Sequence, residues 1–390
     1  MANNAYTNTG STSLGGTAGS AGLVQKAYDR LIEFALRAQP LIRNVADKTP
    51  ARQSIPGSSV VLQRYVDLTQ QTNSLTETVD PDAVALATPT YTTITLAEYG
   101  NAVLVTRALE LFSLADVDPA VANIIAFNLA DSIDTVAQNV LRTGANALYG
   151  GTRTSTATLT SSDTFTSALA RKAVAKLRTN KAIPRKGSLY WAGIHPEVAH
   201  DLRAETGVGS WRQPHEYQAN NEIWAGEIGT YEGAFYVESP RLYNDFKGAA
   251  KSTSTTTTTA SAASGAYVLA VTSSSGILVS DLVAGTGVTA GANVVSISGL
   301  NVTLDQPVTS AGVTSGATIT FTHETNVFNT YFAGQQALAE AVAEEPHVVI
   351  GPVVDKLMRH RPLGWYGVLG FSIYRDEALY RVETSSSIDY

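Results

Sequence analysis

Residues Ile194–Arg241 read IHPEVAHDLRAETGVGSWRQPHEYQANNEIWAGEIGTYEGAFYVESPR, and the two ends of this stretch decide the fold. At its start, His195-Pro196 opens a short helix that runs into Asp201-Leu202-Arg203. Proline suits the first helical position, where its missing N–H has no partner to lose. Val198, Ala199 and Leu202 then share one apolar stripe, so the helix is expected to pack on a sheet. At the far end, Gly226, Glu227, Ile228 and Gly229 lead through Gly233 into a β-prone run closed by Glu238-Ser239-Pro240-Arg241. Glycines interleaved with Ile228, Tyr231, Phe235 and Val237 predict strands joined by tight turns that need positive φ. A glycine-rich nucleotide loop is the sharper alternative, but GEIGTYEG lacks the Lys-Ser/Thr of a phosphate-binding loop and opens no clear helix.

Upstream, a helix is expected from about Thr164 to Asn180, with Phe165, Leu169, Ala173 and Leu177 on one face. Arg171, Lys172, Lys176 and Arg178 lie on the others and are read as a solvated face in preference to a nucleic-acid-facing one. Before it, Asp118-Pro119 begins a long helix whose apolar residues Val121, Ile125, Leu129, Ile133, Val136 and Val140 recur at helical spacing. Ser58–Thr106 holds two β-prone arms around a polar middle, Gln70–Thr88, and reads as a long projecting hairpin that needs a partner to be stable. Nearer the start, Val24, Tyr28, Leu31 and Ala35 form the apolar stripe of an amphipathic helix closed by Pro40. Met1–Ala21 is a polar leader, either an arm that orders against neighbours or a plain disordered tail.

Downstream, composition changes at Ser252. From there to Thr322 only Asp281 and Asp305 are charged, against 16% charged residues in the whole chain, which marks a separate module. Ser252–Ala263 reads as a flexible Thr/Ser linker. Short β-runs at 267–271, 277–279, 294–297, 302–304 and 317–321 then predict a small sandwich or barrel. After it, Asn326-Val327-Phe328 resumes the surrounding pattern, and the chain ends in mixed β structure closed by Arg381-Val382-Glu383.

The His-Pro helix with Asp-Leu-Arg and the Gly-Glu-Ile-Gly run with Glu-Ser-Pro-Arg, in this order and spacing, resemble the major capsid proteins of tailed bacteriophages (Caudoviricetes) with the Hong Kong 97-type fold. The resemblance covers roughly Gly22–Arg241 and Asn326–Glu383; Trp365 departs from it, standing where lysine is commoner. It implies an α+β fold and makes His195, Pro196, Asp201, Leu202, Arg203, Gly226, Glu227, Gly229, Gly233, Glu238 and Pro240 structural motif residues. It also implies the following layout: residues 1–45 an N-terminal arm and helix, 46–106 an extended loop, 107–184 a peripheral domain with a spine helix, 185–250 an axial domain, 251–323 an inserted β module, 324–350 the axial domain continued and 351–390 the last peripheral strands. The module would interrupt an exposed loop and stand on the outer surface.

The implied activity is self-association into hexamers and pentamers of an icosahedral head around double-stranded DNA. Portal and scaffolding proteins, and a decoration protein, are the implied further partners, with the virion as final location and host cytoplasm before assembly. Composition agrees. A net charge of −7 argues against a dedicated nucleic-acid binder, and zero cysteines exclude disulfides and thiolate metal sites. No membrane span or export signal is seen. No cofactor and no metal site is expected: His195 and His200 are spaced by five, which does not align two ligands on one helix face, and the commonest hydrolase signatures are missing. Glu344-Glu345 beside His347 reads as a helix end or loop that supplies an intersubunit salt bridge. A tail or decoration protein is the alternative in the same structural class; an enzyme with a carbohydrate-binding appendage is a distant third.

Overall fold

The computed structural model describes residues 40–50, 58–72, 74–75, 77–78, 80, 83–106, 117–206, 227–242, 246–351 and 359–388. The expected leader and first amphipathic helix, and Gly226, lie outside these residues. The strands are β1 (Ala46–Pro50), β2 (Ser59–Arg64), β3 (Thr90–Thr95), β4 (Ala97–Thr106), β5 (Ala147–Tyr149), β6 (Tyr190–Ile194), β7 (Glu227–Tyr231), β8 (Ala234–Glu238), β9 (Phe246–Thr257), β10 (Val268–Ala270), β11 (Leu282–Gly285), β12 (Ala292–Ser298), β13 (Asn301–Leu304), β14 (Thr318–Ala333), β15 (Leu338–Ile350), β16 (His360–Ile373) and β17 (Leu379–Thr384). The helices are α1 (Val117–Arg142), α2 (Ser167–Thr179) and α3 (Pro196–Ala204). The chain divides into two compact units, one containing Gly100–Leu129 and Pro346–Tyr366, the other Ala38–Tyr99, Ala130–Glu345 and Gly367–Tyr390.

In the first unit, Trp365 is buried and its indole N–H donates to Asn128 Oδ1 at 2.9 Å. The residue that departs from the resemblance thus fills a core position whose one polar atom is satisfied.

In the second unit, the main sheet has β14 at its centre. Phe328–Ala333 pairs with β17 on one side, and Tyr331–Ala333 also pairs with β6 on the other. β6 continues to β8 and β7, and β17 continues to β5. Helices α2 and α3 cover one face, where Leu169, Ala173, Leu177, Val198 and Leu202 pack on Tyr190, Tyr236, Phe328 and Phe332. The helical periodicity expected for α2 and α3 is met. For α1 the deepest positions are shifted: Ile133, Ala137 and Leu141 are buried together with the polar Asp134 and Gln138, while Val136 and Val140 are only half-buried.

The first half of β14 belongs to a second group of strands, between β9 and β11, with β12, β13 and β10 beyond. Burial alternates from Thr318 to Val327 and becomes continuous from there to Ala333. One strand therefore passes from a sheet with one solvated face into one covered on both. Val271, Val283, Val294, Val302, Leu304, Ile319 and Phe321 belong to a core drawn entirely from Ala262–Phe321. Two expectations are corrected. Ser252–Thr257 is not a flexible linker but the outer half of β9, paired with β14 from Ser252↔His323 to Thr257↔Thr318. Residues 277–279 form no strand, and the pairing there begins at Leu282.

The hairpin is also shorter as a ladder than expected. β2 and β3 pair over six residues, from Ser59↔Thr95 to Arg64↔Thr90, and the described residues between them form no strand. The second expected arm is in part β4, which pairs with β16 instead.

Candidate assembly surfaces

Of the motif residues, His195, Pro196, Asp201, Leu202, Arg203 and Glu238 lie at the end of the sheet where β6 runs into α3, whereas Gly233 turns at the opposite end of β8. His195 is the N-cap of α3, its Nδ1 accepting the Glu197 N–H at 3.4 Å, with Pro196 in the first turn. Its ring lies 4.8 Å from that of Phe328, and burial pushes its pKa down to about 4, so the imidazole is neutral at pH 7. Leu202 belongs to the core. Asp201 is buried, and its carboxylate accepts the N–H of Ser387 at 2.9 Å and the Ser387 hydroxyl. Arg203 reaches Glu238 at 2.9 Å, joining the two halves of the motif, and the Ser239 N–H donates to the Ile194 carbonyl at 3.1 Å.

Gly229 sits at a register shift between β7 and β8, beside Glu227, which pairs with Val237. Gly233 has φ +84 in the β7–β8 turn, a backbone conformation that favours glycine. Pro240 is exposed. Arg203–Glu238 and Asp201–Ser387 thus tie α3 to β8 and to the segment after β17.

A second polar cluster escaped the sequence reading. The Asp134 carboxylate on α1 accepts the N–H groups of Ile42 at 2.7 Å and Arg43 at 2.9 Å. Burial raises its pKa, and those backbone donors temper the rise. Arg241, the last residue of the motif, pairs with Asp131 and lies 3.4 Å from Asp134. Arg43 reaches the fully buried Glu340 at 2.6 Å and Glu345 at 3.0 Å. Glu345 lies on β15, which corrects the expected helix end or loop, and it pairs within its own chain to Arg43 and Lys48. A hint existed in the sequence: Asp134 and Gln138 stand four apart beside the apolar stripe of α1.

At the hairpin root, Arg64 grips Glu377 with two hydrogen bonds of 3.1 and 3.2 Å, which hold the Glu377 carboxyl below the usual carboxylate range. Val60, Leu62 and Leu96 pack there on Ile94, Ala339 and Ala341. Beyond the root, every described residue from Tyr65 to Thr88 is exposed, with Leu68, Leu75, Val84 and Leu86 between 55% and 76% exposed. Chains do not leave such a row of large apolar groups in water without a partner to cover it.

Among the described residues no helix is long and apolar enough to cross a membrane. The family described as phage capsid protein matches residues 90–379, and the chain belongs to it. No curated protein matches in sequence. Solved structures similar to the chain include the capsid of Ralstonia phage GP4, at 13% identity and TM-score 0.61, covering 96% of this chain and 98% of that one. The head of Helicobacter pylori bacteriophage KHP40 gives 12% identity and TM-score 0.60, with 98% and 99% covered. A cyanophage Pam1 capsid chain gives 10% identity and TM-score 0.58, with 96% and 100% covered. The fold is the α+β, Hong Kong 97-type capsid fold, and the chain is a major capsid protein of a phage head.

Proposed function

We propose that the chain acts by geometry alone, with no catalytic step: copies join into pentamers and hexamers and these close into the icosahedral shell around the packaged DNA. The observation that carries this reading is the loop after β2, anchored at its root by Arg64–Glu377, in which every described residue from Tyr65 to Thr88 is exposed. Covering it, together with the remaining contacts of a subunit, requires obligate interfaces of at least about 2,000 Å². The motif clamp at α3 and the Asp134 cluster serve to hold the contacting segments in place.

In this reading residues 107–184 and 351–390 form the peripheral domain, 185–250 and 324–350 the axial domain, and 251–323 the inserted module on the outer surface. The self-contained core between Ala262 and Phe321 supports that division. A portal and a scaffolding protein are the expected assembly partners, and a decoration protein is a further one.

Deleting Gln70–Thr88 tests the assignment. The protein is expected to fold and to fail in shell formation, and normal shells from the deletion contradict the reading. In a map of the assembled particle, density for residues 252–322 on the inside overturns the outward placement of the module.

A further inference from the structure

One cavity in the second unit is lined by cations that find no anion within the chain. It measures about 380 Å³ and lies where residues 64–67 after β2, residues 180–183 after α2, Gln335 in the β14–β15 turn and the segment before β17 come together. Its charged lining consists of Arg64, Lys181 and Arg375 against Asp67 and Glu377. Glu377 is already occupied, since Arg64 donates to both of its oxygens and holds the carboxyl ionised. That leaves two cations against the single exposed carboxylate of Asp67.

Arg375 is the first of the two. Its side chain is half-buried, its Nε is shut off from solvent, and its guanidinium makes no hydrogen bond or ion pair among the described residues. Its only close neighbour of note is the Tyr374 ring, 5.8 Å away. A guanidinium carries five donors in a fixed fork, and withdrawing them from water without an acceptor is unfavourable. Such a group is matched by an oxyanion that enters the cavity.

Lys181 is the second, and its backbone is as telling as its charge. The end of α2 closes with the Lys181 N–H on the Arg178 carbonyl and the Ala182 N–H on the Leu177 carbonyl, both at 3.0 Å. This closure needs a left-handed residue just past the C-cap Asn180, and glycine is the usual choice. Here a lysine takes it, at φ +56. Strain of this kind persists where the side chain it carries has a use. The ammonium has no carboxylate at ion-pair distance among the described residues.

We propose that this cavity is a binding site for a small phosphate-bearing anion, gripped by the Arg375 guanidinium and the Lys181 ammonium, with Arg64 beside them. A tetrahedral oxyanion offers acceptors on several sides and so meets donors that arrive from separate segments, whereas one carboxylate matches a single fork. The volume exceeds that of one phosphate, and Tyr65, Val66 and Ile183 supply an apolar wall for a larger group attached to it. Because the lining comes from segments far apart in sequence, the bound anion fastens the hairpin root to the end of α2 and stabilises the folded chain by mass action. The site goes beyond the assembly reading and does not depend on it.

Calorimetric titration of the full-length protein with pyrophosphate, at ionic strength held constant with sodium chloride, tests the proposal. Saturable binding of one pyrophosphate per chain is expected. Arg375→Gln and Lys181→Gly are each expected to weaken it by about tenfold or more, the loss of one charge-assisted contact. Glycine suits the positive φ of position 181, so the unliganded thermal midpoint of Lys181→Gly stays the same or rises, and lost binding is not lost folding. Asp67→Asn removes the competing carboxylate and is expected to tighten binding. Lys172→Gln, on the exposed side of α2 outside the cavity, leaves it unchanged. Adenosine diphosphate separates the two sources of the phosphate: tighter binding than pyrophosphate assigns the apolar wall to an attached organic group, and equal binding assigns the site to the free anion. Absence of saturable binding overturns the proposal. Binding that survives both Arg375→Gln and Lys181→Gly, or that falls equally with Lys172→Gln, overturns it as well and leaves only diffuse surface attraction.

Discussion

Asp201 holds Ser387: the carboxylate at the middle of the His-Pro helix accepts the serine N–H at 2.9 Å and its hydroxyl as well. A motif helix opened by His195 thereby fastens the strand end that follows Arg381-Val382-Glu383, two segments separated by 186 positions in the chain. Asp201→Ala removes the acceptor of the part-buried bond to the Ser387 N–H and is expected to cost about 1–2 kcal/mol. Asp201→Asn keeps one acceptor and is expected to cost less. Urea unfolding of the two variants checks the order.

His195 gives the fold an acid-side weakness. Its folded pKa of about 4 lies below the ordinary 6.5, so between these values the unfolded chain binds a proton that the native chain refuses. The contribution is complete above pH 6.5 and falls away as pH drops toward 4, by roughly 3 kcal/mol in total. His195→Asn retains a capping side chain and removes the titration. The variant is expected to flatten the stability profile over that range; an unchanged slope contradicts the assignment.

The Asp134 cluster fixes the segment around Ile42 to α1. Asp134→Ala orphans two backbone donors and is expected to cost about 2–4 kcal/mol, with faster hydrogen exchange at the Ile42 and Arg43 amides. Asp134→Asn supplies an uncharged acceptor without the desolvation that raises the native carboxyl's pKa, so its exchange rates stay near those of the wild type. Equal protection in the alanine variant contradicts the anchoring role.

The β module has its own core and meets the rest of the chain through the β9–β14 ribbon. Removing Ser254–Phe321 and joining Thr253 to Thr322, which face each other in the ribbon, through Asn-Gly is expected to leave a folded protein. His323 loses its 2.9 Å contact with Asp281 in this excision, so His323→Thr accompanies it. A collapsed or insoluble product shows that the module is part of the main core.

Much of this was readable in advance because short-range rules carried it. The proline after His195, the periodic faces of α2 and α3, and the turn at Gly233 each follow from local sterics and spacing. Ser252–Thr257 misled because its residues are mostly small and polar; it is a strand through what β14 offers beside it, a pairing partner more than sixty residues away. Asp134 and Glu340 were hidden for the complementary reason, since a buried carboxylate is permitted only by donors that arrive from elsewhere in the chain. Glu345 suggests a helix end or loop because Glu344-Glu345 and Pro346 interrupt the apolar run that otherwise marks β15.

Electron microscopy of the purified full-length protein, with the particle mass from light scattering of the same sample, tests the central claim most directly. Closed icosahedral shells, or free five- and six-membered rings of matching mass, are the expected result. Rods, tubes or stacked rings contradict it and move the chain to the tail of the virion.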